Sequence, residues 1–192
     1  MRIGIYGGTF NPFHNGHLTL ARTFLSEYEL DAVWLMVSPQ NPFKRNDVLL
    51  SDELRYKMVS QALQNEPCLH ASNYEFSLPK PSYTWHTLQK LSADYPSHTF
   101  ILLIGADNWR DFSKWYHADD ILRHYEIAVF PRENVVLNAS EMPRNVNILH
   151  APLVNVSSTE IRNRVAKGLP IDSLVPASVA QMIRQHKLYA HQ

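Results

Sequence analysis

The sequence predicts an α/β fold, a doubly wound and mostly parallel sheet with a small helical C-terminal part. Three observations carry that expectation. Short apolar runs alternate with amphipathic segments along the chain, the order of strand and crossover helix that a parallel sheet needs. The run Val33-Trp34-Leu35-Met36-Val37 is apolar on both faces, as a strand covered by helices on each side should be. The first run, Ile3-Gly4-Ile5-Tyr6, leads through Gly7-Gly8 into an amphipathic segment, so a strand turns there into a helix N-terminus.

Taken in order, the first strand is read at Arg2–Tyr6. The first helix runs from near Gly16 to about Tyr28, with Leu18, Ala21, Leu25 and Tyr28 at helical spacing. Asp31–Val37 is the second strand, followed by a Pro/Asn-rich loop at Ser38–Arg45. Ser51-Asp52-Glu53 opens the second helix, where acidic residues favour the positive end of the helix dipole, and Leu54, Met58 and Ala62 mark its inner face. Leu69–Glu75 alternates and reads as a third strand nearer an edge, and Thr84–Tyr95 is the third helix. Thr99–Ile104 is the fourth strand, ending in Gly105-Ala106-Asp107, with short helices around Asp107–Lys114 and Ala118–Tyr125. Glu126–Phe130 is the fifth strand and Val146–Leu149 a weaker sixth. Ser157-Ser158-Thr159-Glu160 has the form of a capping box and starts a helix that ends near Gly168; Pro176 opens a last helix to about Lys187. No repeat, low-complexity tract or dividing linker interrupts the pattern, so residues 1–192 read as one domain with 157–192 as a C-terminal helical segment.

Composition narrows the class. A chain of 192 residues that is 45% hydrophobic builds a substantial core. A formal net charge of zero gives no bias toward nucleic acid. The single cysteine, Cys68, excludes an intramolecular disulfide and a cysteine-based zinc cluster, and fits a reducing compartment. No signal-peptide pattern is present, and no stretch approaches the ~20 apolar residues of a membrane span. A soluble cytoplasmic protein with neither nucleic acid nor membrane as partner is expected, of open oligomeric state.

The most informative block is Gly7-Gly8-Thr9-Phe10-Asn11-Pro12-Phe13-His14-Asn15-Gly16-His17. It places a glycine turn and two imidazoles, at i and i+3 on one side of a helical turn, at the carboxyl edge of a strand and the start of a helix. Backbone N–H groups and the helix dipole favour anions there, and ring N–H donors suit the phosphates of a nucleotide. Neither G-x-G-x-x-G nor G-x-x-x-x-G-K-[ST] occurs, which argues against a dehydrogenase or a P-loop enzyme. Gly7–His17, Ser38–Arg45, Gly105–Asp107 and Ser157–Arg162 all fall at or just beyond strand ends, where one crevice collects them.

The first block resembles the leading signature of the H-x-G-H nucleotidyltransferases, and Val156-Ser157-Ser158-Thr159-Glu160-Ile161-Arg162 resembles their second. Pro81-Ser82-Tyr83-Thr84-Trp85-His86-Thr87-Leu88, Ile104-Gly105-Ala106-Asp107 and Lys114-Trp115-Tyr116 are similar to segments of the bacterial nicotinate-mononucleotide adenylyltransferases. The resemblance runs in order over nearly the whole chain. It implies a Rossmann-like fold and transfer of AMP from ATP to nicotinate mononucleotide, by in-line attack of the acceptor phosphate without a covalent intermediate. Phosphopantetheine as acceptor, or a nucleotide-binding module without catalysis, are the alternatives.

The resemblance implies roles for particular residues. His14 and His17 bind the ATP phosphates and stabilise the charge of the transition state, with Gly7, Gly8, Thr9 and Phe10 beside them. Arg162 contacts the β- and γ-phosphates, helped by Ser158 and Thr159 at a helix N-terminus. Lys44 reaches a phosphate in the reacting centre. Gly105 belongs to the ATP site and Asp107 meets the ribose, although Asp107 also suits an N-cap. Trp115 lies against the cationic pyridine ring, and backbone N–H groups near Thr84 and Tyr116 take the nicotinate carboxylate. Mg²⁺ is delivered with ATP, with no dedicated protein ligand. Three positions depart from the family pattern: His86 replaces an acid, Asn11 the commoner Asp, and Phe43 a frequent histidine. The remaining histidines carry no assignment.

Overall fold

The structure is a computed structural model that describes residues 1–39, 49–132, 135–152 and 155–190. Its strands are β1 (Arg2–Gly8), β2 (Ala32–Val37), β3 (Leu69–Ser72), β4 (Thr99–Gly105), β5 (Glu126–Phe130) and β6 (Val146–Ile148). They form one sheet in the order β3-β2-β1-β4-β5-β6, and every neighbouring pair is parallel. The sheet is thus wholly rather than mostly parallel. Strand order reverses between β1 and β4, and a ligand crevice belongs beyond the carboxyl ends of those two strands.

The helices are α1 (Asn15–Glu27), α2 (Asp52–Ala62), α3 (Thr84–Asp94), α4 (Ala106–Arg110), α5 (Ala118–His124), α6 (Ser158–Ala166) and α7 (Ala177–Gln185). They cover both faces, because successive strand residues point to opposite sides. Tyr6, Val33, Leu35, Ile101, Leu103 and Ala128 face one core with Phe24 of α1, Met58 of α2, Ile161 of α6 and Val179 of α7. Ile3, Ile5, Met36, Leu102, Ile104 and Ile127 face the other, with Leu88 and Leu91 of α3 and Ile121 of α5. The C-terminal helices therefore share a core with the sheet.

Several elements differ from the sequence expectation. The third strand was expected to reach Glu75, but pairing stops at Ser72 and a 3-10 turn follows at Tyr74–Ser77. On this edge β3 has a partner on one side only, and the turn brings Glu75 inward to buried hydroxyl donors instead. Leu54, Met58 and Ala62 of α2 pack on the core as expected, Leu54 and Ala62 only partly buried, but the buried face also includes Val59 and Arg55, whose guanidinium has carbonyl partners inside. The expected helix 107–114 is instead α4 plus a 3-10 turn at Phe112–Lys114. Helix α7 stops at Gln185, two residues earlier than expected, and Lys187 (φ 49°) and Tyr189 (φ 63°) turn the chain through the left-handed region.

Candidate active site

Beyond β1 the chain makes a tight turn. A Cβ at Gly8 would lie 2.9 Å from the Phe10 ring, so only glycine lets that ring fold back over the strand. Phe10 itself has φ 47°, a left-handed conformation that costs a non-glycine residue of order 1–3 kcal/mol. Its ring compensates by packing edge-on against Tyr6, Phe13 and His17, at 5.6, 5.7 and 5.0 Å between centroids. Phe10 is 1% exposed, so what it offers the cavity is backbone.

His14 is the N-cap of α1, and the two histidines cap that helix reciprocally. Nδ1 of His14 accepts from the His17 backbone N–H (3.3 Å), and Nδ1 of His17 accepts from the His14 N–H (3.2 Å). An accepting Nδ1 carries no proton, so this geometry assigns both rings to the neutral tautomer protonated at Nε2. The rings stack with centroids 3.6 Å apart, and Phe13 stacks on the outer face of His17 at 5.4 Å. Burial, then the positive charge of Arg132, lowers the pKa of His14 from 6.5 to about 4. The imidazole therefore stays a neutral N–H donor near pH 7.

The first residues of α6 are tied to the same loop. Ser157 is the N-cap and accepts from the Glu160 N–H at 3.1 Å. The Ser158 hydroxyl donates to Pro12 O (2.9 Å), which commits its hydrogen within the protein. Its backbone N–H and that of Thr159 lie in the first turn, where a helix has no acceptor of its own. Arg162 donates from Nη1 to Asn11 O (2.8 Å) and from Nη2 to Thr159 Oγ1 (3.2 Å). Asn11 is buried; its Oδ1 accepts from Leu50 N–H (3.3 Å) and Tyr189 O–H (2.9 Å).

These groups line one cavity of about 810 Å³ over the ends of β1 and β4. Gly7, Gly8, Thr9, Phe10, His14, His17, Ser158, Thr159 and Arg162 lie along it with Gly105 and Asp107. So do Thr84, Trp115 and Tyr116. The cavity thus brings together every described residue given a binding or catalytic role from the sequence; Lys44, with Phe43 and Arg45, lies outside the described residues. A Cβ at Gly105 would come within 2.5 Å of Asp107 Oδ1, so glycine lets that carboxylate approach the strand end. Gly105, not Asp107, is the N-cap of α4; Asp107 sits in its first turn, 3.7 Å from Arg132 Nε.

At the far end, α3 begins at Thr84 without a side-chain cap. Tyr83 and Tyr116 approach to 5.0 Å, and the exposed His86 ring lies 5.1 Å from Tyr116. Trp115 packs on Phe112 at 5.2 Å, and its indole Nε1 is buried without a hydrogen-bond partner among the described residues.

Sequence reasoning missed four residues. Arg132 lines the cavity just past β5, a position that the strand-end rule could have found. Glu75 lines it from the unforeseen turn. Arg55 supports it from below, donating to Thr9 O (2.6 Å), Ser38 O (3.0 Å) and Leu50 O (3.1 Å). Tyr189 reaches Asn11 from the far end of the chain. Neither of the last two has a local pattern that signals it.

Residues 5–164 match the cytidylyltransferase-like family. A protein of Cytophaga hutchinsonii named "Probable nicotinate-nucleotide adenylyltransferase" is 44% identical over 100% of both chains. One of the same name from Bacteroides thetaiotaomicron is 41% identical over 97% of this chain and 92% of its own. In fold, the chain is similar to the Plasmodium falciparum nicotinic acid mononucleotide adenylyltransferase complexed with NaAD, with a TM-score of 0.84, 18% identity and coverage of 100% and 98%. The chain belongs to the cytidylyltransferase-like family and, within it, to the nicotinate-nucleotide adenylyltransferases.

Proposed function

We propose that the chain transfers AMP from ATP to nicotinate mononucleotide, giving deamido-NAD and pyrophosphate. A phosphate oxygen of the acceptor attacks the α-phosphorus of ATP, and the bond from that phosphorus to the oxygen bridging to the β-phosphate breaks. The attacking phosphate is already largely dianionic at neutral pH, its second pKa being about 6, so no general base is needed. What the protein supplies is alignment and charge stabilisation.

In this reading His14 and His17 donate from Nε2 to the phosphate at which charge builds, aided by the α1 N-terminus. Arg162 and the first-turn N–H groups of Ser158 and Thr159 take the β- and γ-phosphates, so the segment 157–192 completes the ATP site of one domain. Gly7, Gly8, Thr9 and Phe10 form the wall beneath, and Lys44 reaches the reacting phosphates from the loop after β2. Asp107 and Gly105 meet the ribose, the carboxylate shared with Arg132. Trp115 faces the cationic pyridine ring, and the uncapped first turn of α3 at Thr84, with the backbone near Tyr116, receives the nicotinate carboxylate. The observation that carries the reading is that one cavity joins two neutral imidazole donors at a helix N-terminus with an indole and an uncapped helix.

The donors at the phosphate end are N–H groups and guanidinium, which complement anions and not a cation. Among the described residues no three His, Cys, Asp or Glu side chains group as a metal site. In this reading Mg²⁺ arrives on the ATP phosphates and screens their charge. The same reading makes the chain a cytoplasmic enzyme of NAD synthesis, acting on small molecules rather than nucleic acid or membranes. Among the described residues no helix is long and apolar enough to cross a membrane.

The test is pyrophosphate release with ATP and Mg²⁺, comparing nicotinate mononucleotide, nicotinamide mononucleotide and phosphopantetheine as acceptors. Strongest turnover with the nicotinate form supports the reading. Turnover with phosphopantetheine alone overturns the acceptor assignment, and silence with all three overturns catalysis.

A further inference from the structure

Among the described residues, Glu75 is the one buried carboxylate, 7% exposed, and it lines the cavity. Its Oε1 accepts from the Thr87 hydroxyl at 2.8 Å and its Oε2 from the Ser82 hydroxyl at 3.2 Å. The Ser38 side chain, just past β2, is a further hydrogen-bonding partner. Ser82 lies two residues before Thr84, the first residue of α3, and Thr87 is the fourth residue of that helix. The carboxylate therefore clamps the chain on both sides of the uncapped first turn of α3. Burial raises the pKa of Glu75 while the three hydroxyls oppose that rise, so the charged form depends on them. A 3-10 turn at Tyr74–Ser77, formed where the strand pattern would have continued, holds Glu75 in place.

We propose that Glu75 is a positioning residue: it fixes the first turn of α3 and thereby sets affinity for the carboxylate of the acceptor nucleotide. The proposal rests on the acceptor assignment made above. A clamp works through geometry, so a neutral side chain of the same shape should serve, because serine and threonine hydroxyls can donate to an amide oxygen or accept from an amide N–H. Truncation should not serve, because it takes the partner from the buried Ser82 hydroxyl and leaves Thr87 only its longer bond to Tyr83 O (3.4 Å).

The experiment measures KM for nicotinate mononucleotide and for ATP in Glu75→Ala, Glu75→Gln and Thr87→Val. It adds hydrogen exchange of the backbone amides at 83–88 in the ligand-free protein. Glu75→Ala should raise the acceptor KM about tenfold and leave the ATP KM within about twofold, with faster exchange at 83–88. Thr87→Val should shift the same KM by about threefold, and it carries the test if Glu75→Ala does not fold. Glu75→Gln should stay close to the parent protein. Equal changes in both KM values overturn the proposal, and so does a Gln variant as impaired as the Ala variant, which would make charge the operative property. If the parent protein turns over no pyridine nucleotide, the functional reading fails by itself. Exchange then still decides the clamp, and unchanged exchange in Glu75→Ala overturns it.

Discussion

At the end of the cavity proposed for the phosphates, polar side chains are already committed to the protein. His14 and His17 cap α1 with their Nδ1 atoms, Ser158 holds Pro12 and Arg162 holds Asn11. At the end proposed for the acceptor the walls are aromatic and partly open. Tyr116 is 46% exposed, the Trp115 N–H has no partner among the described residues, and α3 starts without a side-chain cap. Stabilising charge in a transition state rewards dipoles fixed in advance, because reorienting them during the reaction would cost energy. Recognising a flat cationic ring asks only for a face at the right distance, and hydrogen bonds there can be completed by the ligand.

Breaking the fixed end should cost most. In the proposed reaction His17→Ala removes a donor to developing charge, and we expect kcat for pyrophosphate release to fall about a thousandfold with little change in either KM. A loss confined to KM would move His17 from the transition state to ground-state binding. The support beneath that end is tested by Arg55→Met, which strips a fully buried guanidinium from three carbonyls and Asp52. Urea unfolding should register a loss of about 3 kcal/mol, whereas a loss under about 1 kcal/mol would mean that the carbonyls find other donors.

Acid provides a third probe of the same end. His14 titrates near 4 in the folded chain and near 6.5 when unfolded, so protonation favours the unfolded state. Its contribution is complete above pH 6.5 and is lost as pH falls toward 4, by about 3 kcal/mol in all. His14→Asn keeps a good cap and removes the titration, so the difference between the two stability profiles should vanish across that window if the shift is absent. The open end should respond more mildly. Trp115→Ala should raise the acceptor KM about tenfold and Trp115→Phe by less, with the ATP KM unmoved. An equal change in the ATP KM would show that the two ends are one rigid unit.

The contrast also explains what could be read from the sequence. Glu126–Phe130 was legible to the residue, because a strand covered on both faces announces itself by local apolarity. The glycine turn and the His14–His17 pair were legible because helix starts and tight turns have short-range chemistry. The reciprocal imidazole cap was not, since a histidine rarely serves as N-cap and its ring nitrogens were read only as ligand donors. Glu75 was hidden inside an alternating stretch, where the pull of Ser82 and Thr87 outweighed the strand pattern. Arg55 occupied a position that helical spacing alone assigns to solvent, and its carbonyl partners lie in two loops, Thr9 after β1 and Ser38 and Leu50 between β2 and α2. Such residues are fixed by long-range hydrogen bonds, which a local pattern does not encode.

The loop at 11–15 is stitched from far along the chain. Ser158 and Arg162 bind its carbonyls, the Asn15 N–H donates to Leu174 O, and Tyr189 donates to Asn11. During synthesis, then, the ribosome delivers the glycine turn and both histidines early, yet the phosphate cradle stays unfinished until residue 189 has emerged from the exit tunnel. A nascent chain would hold most of its sheet before it could hold a nucleotide.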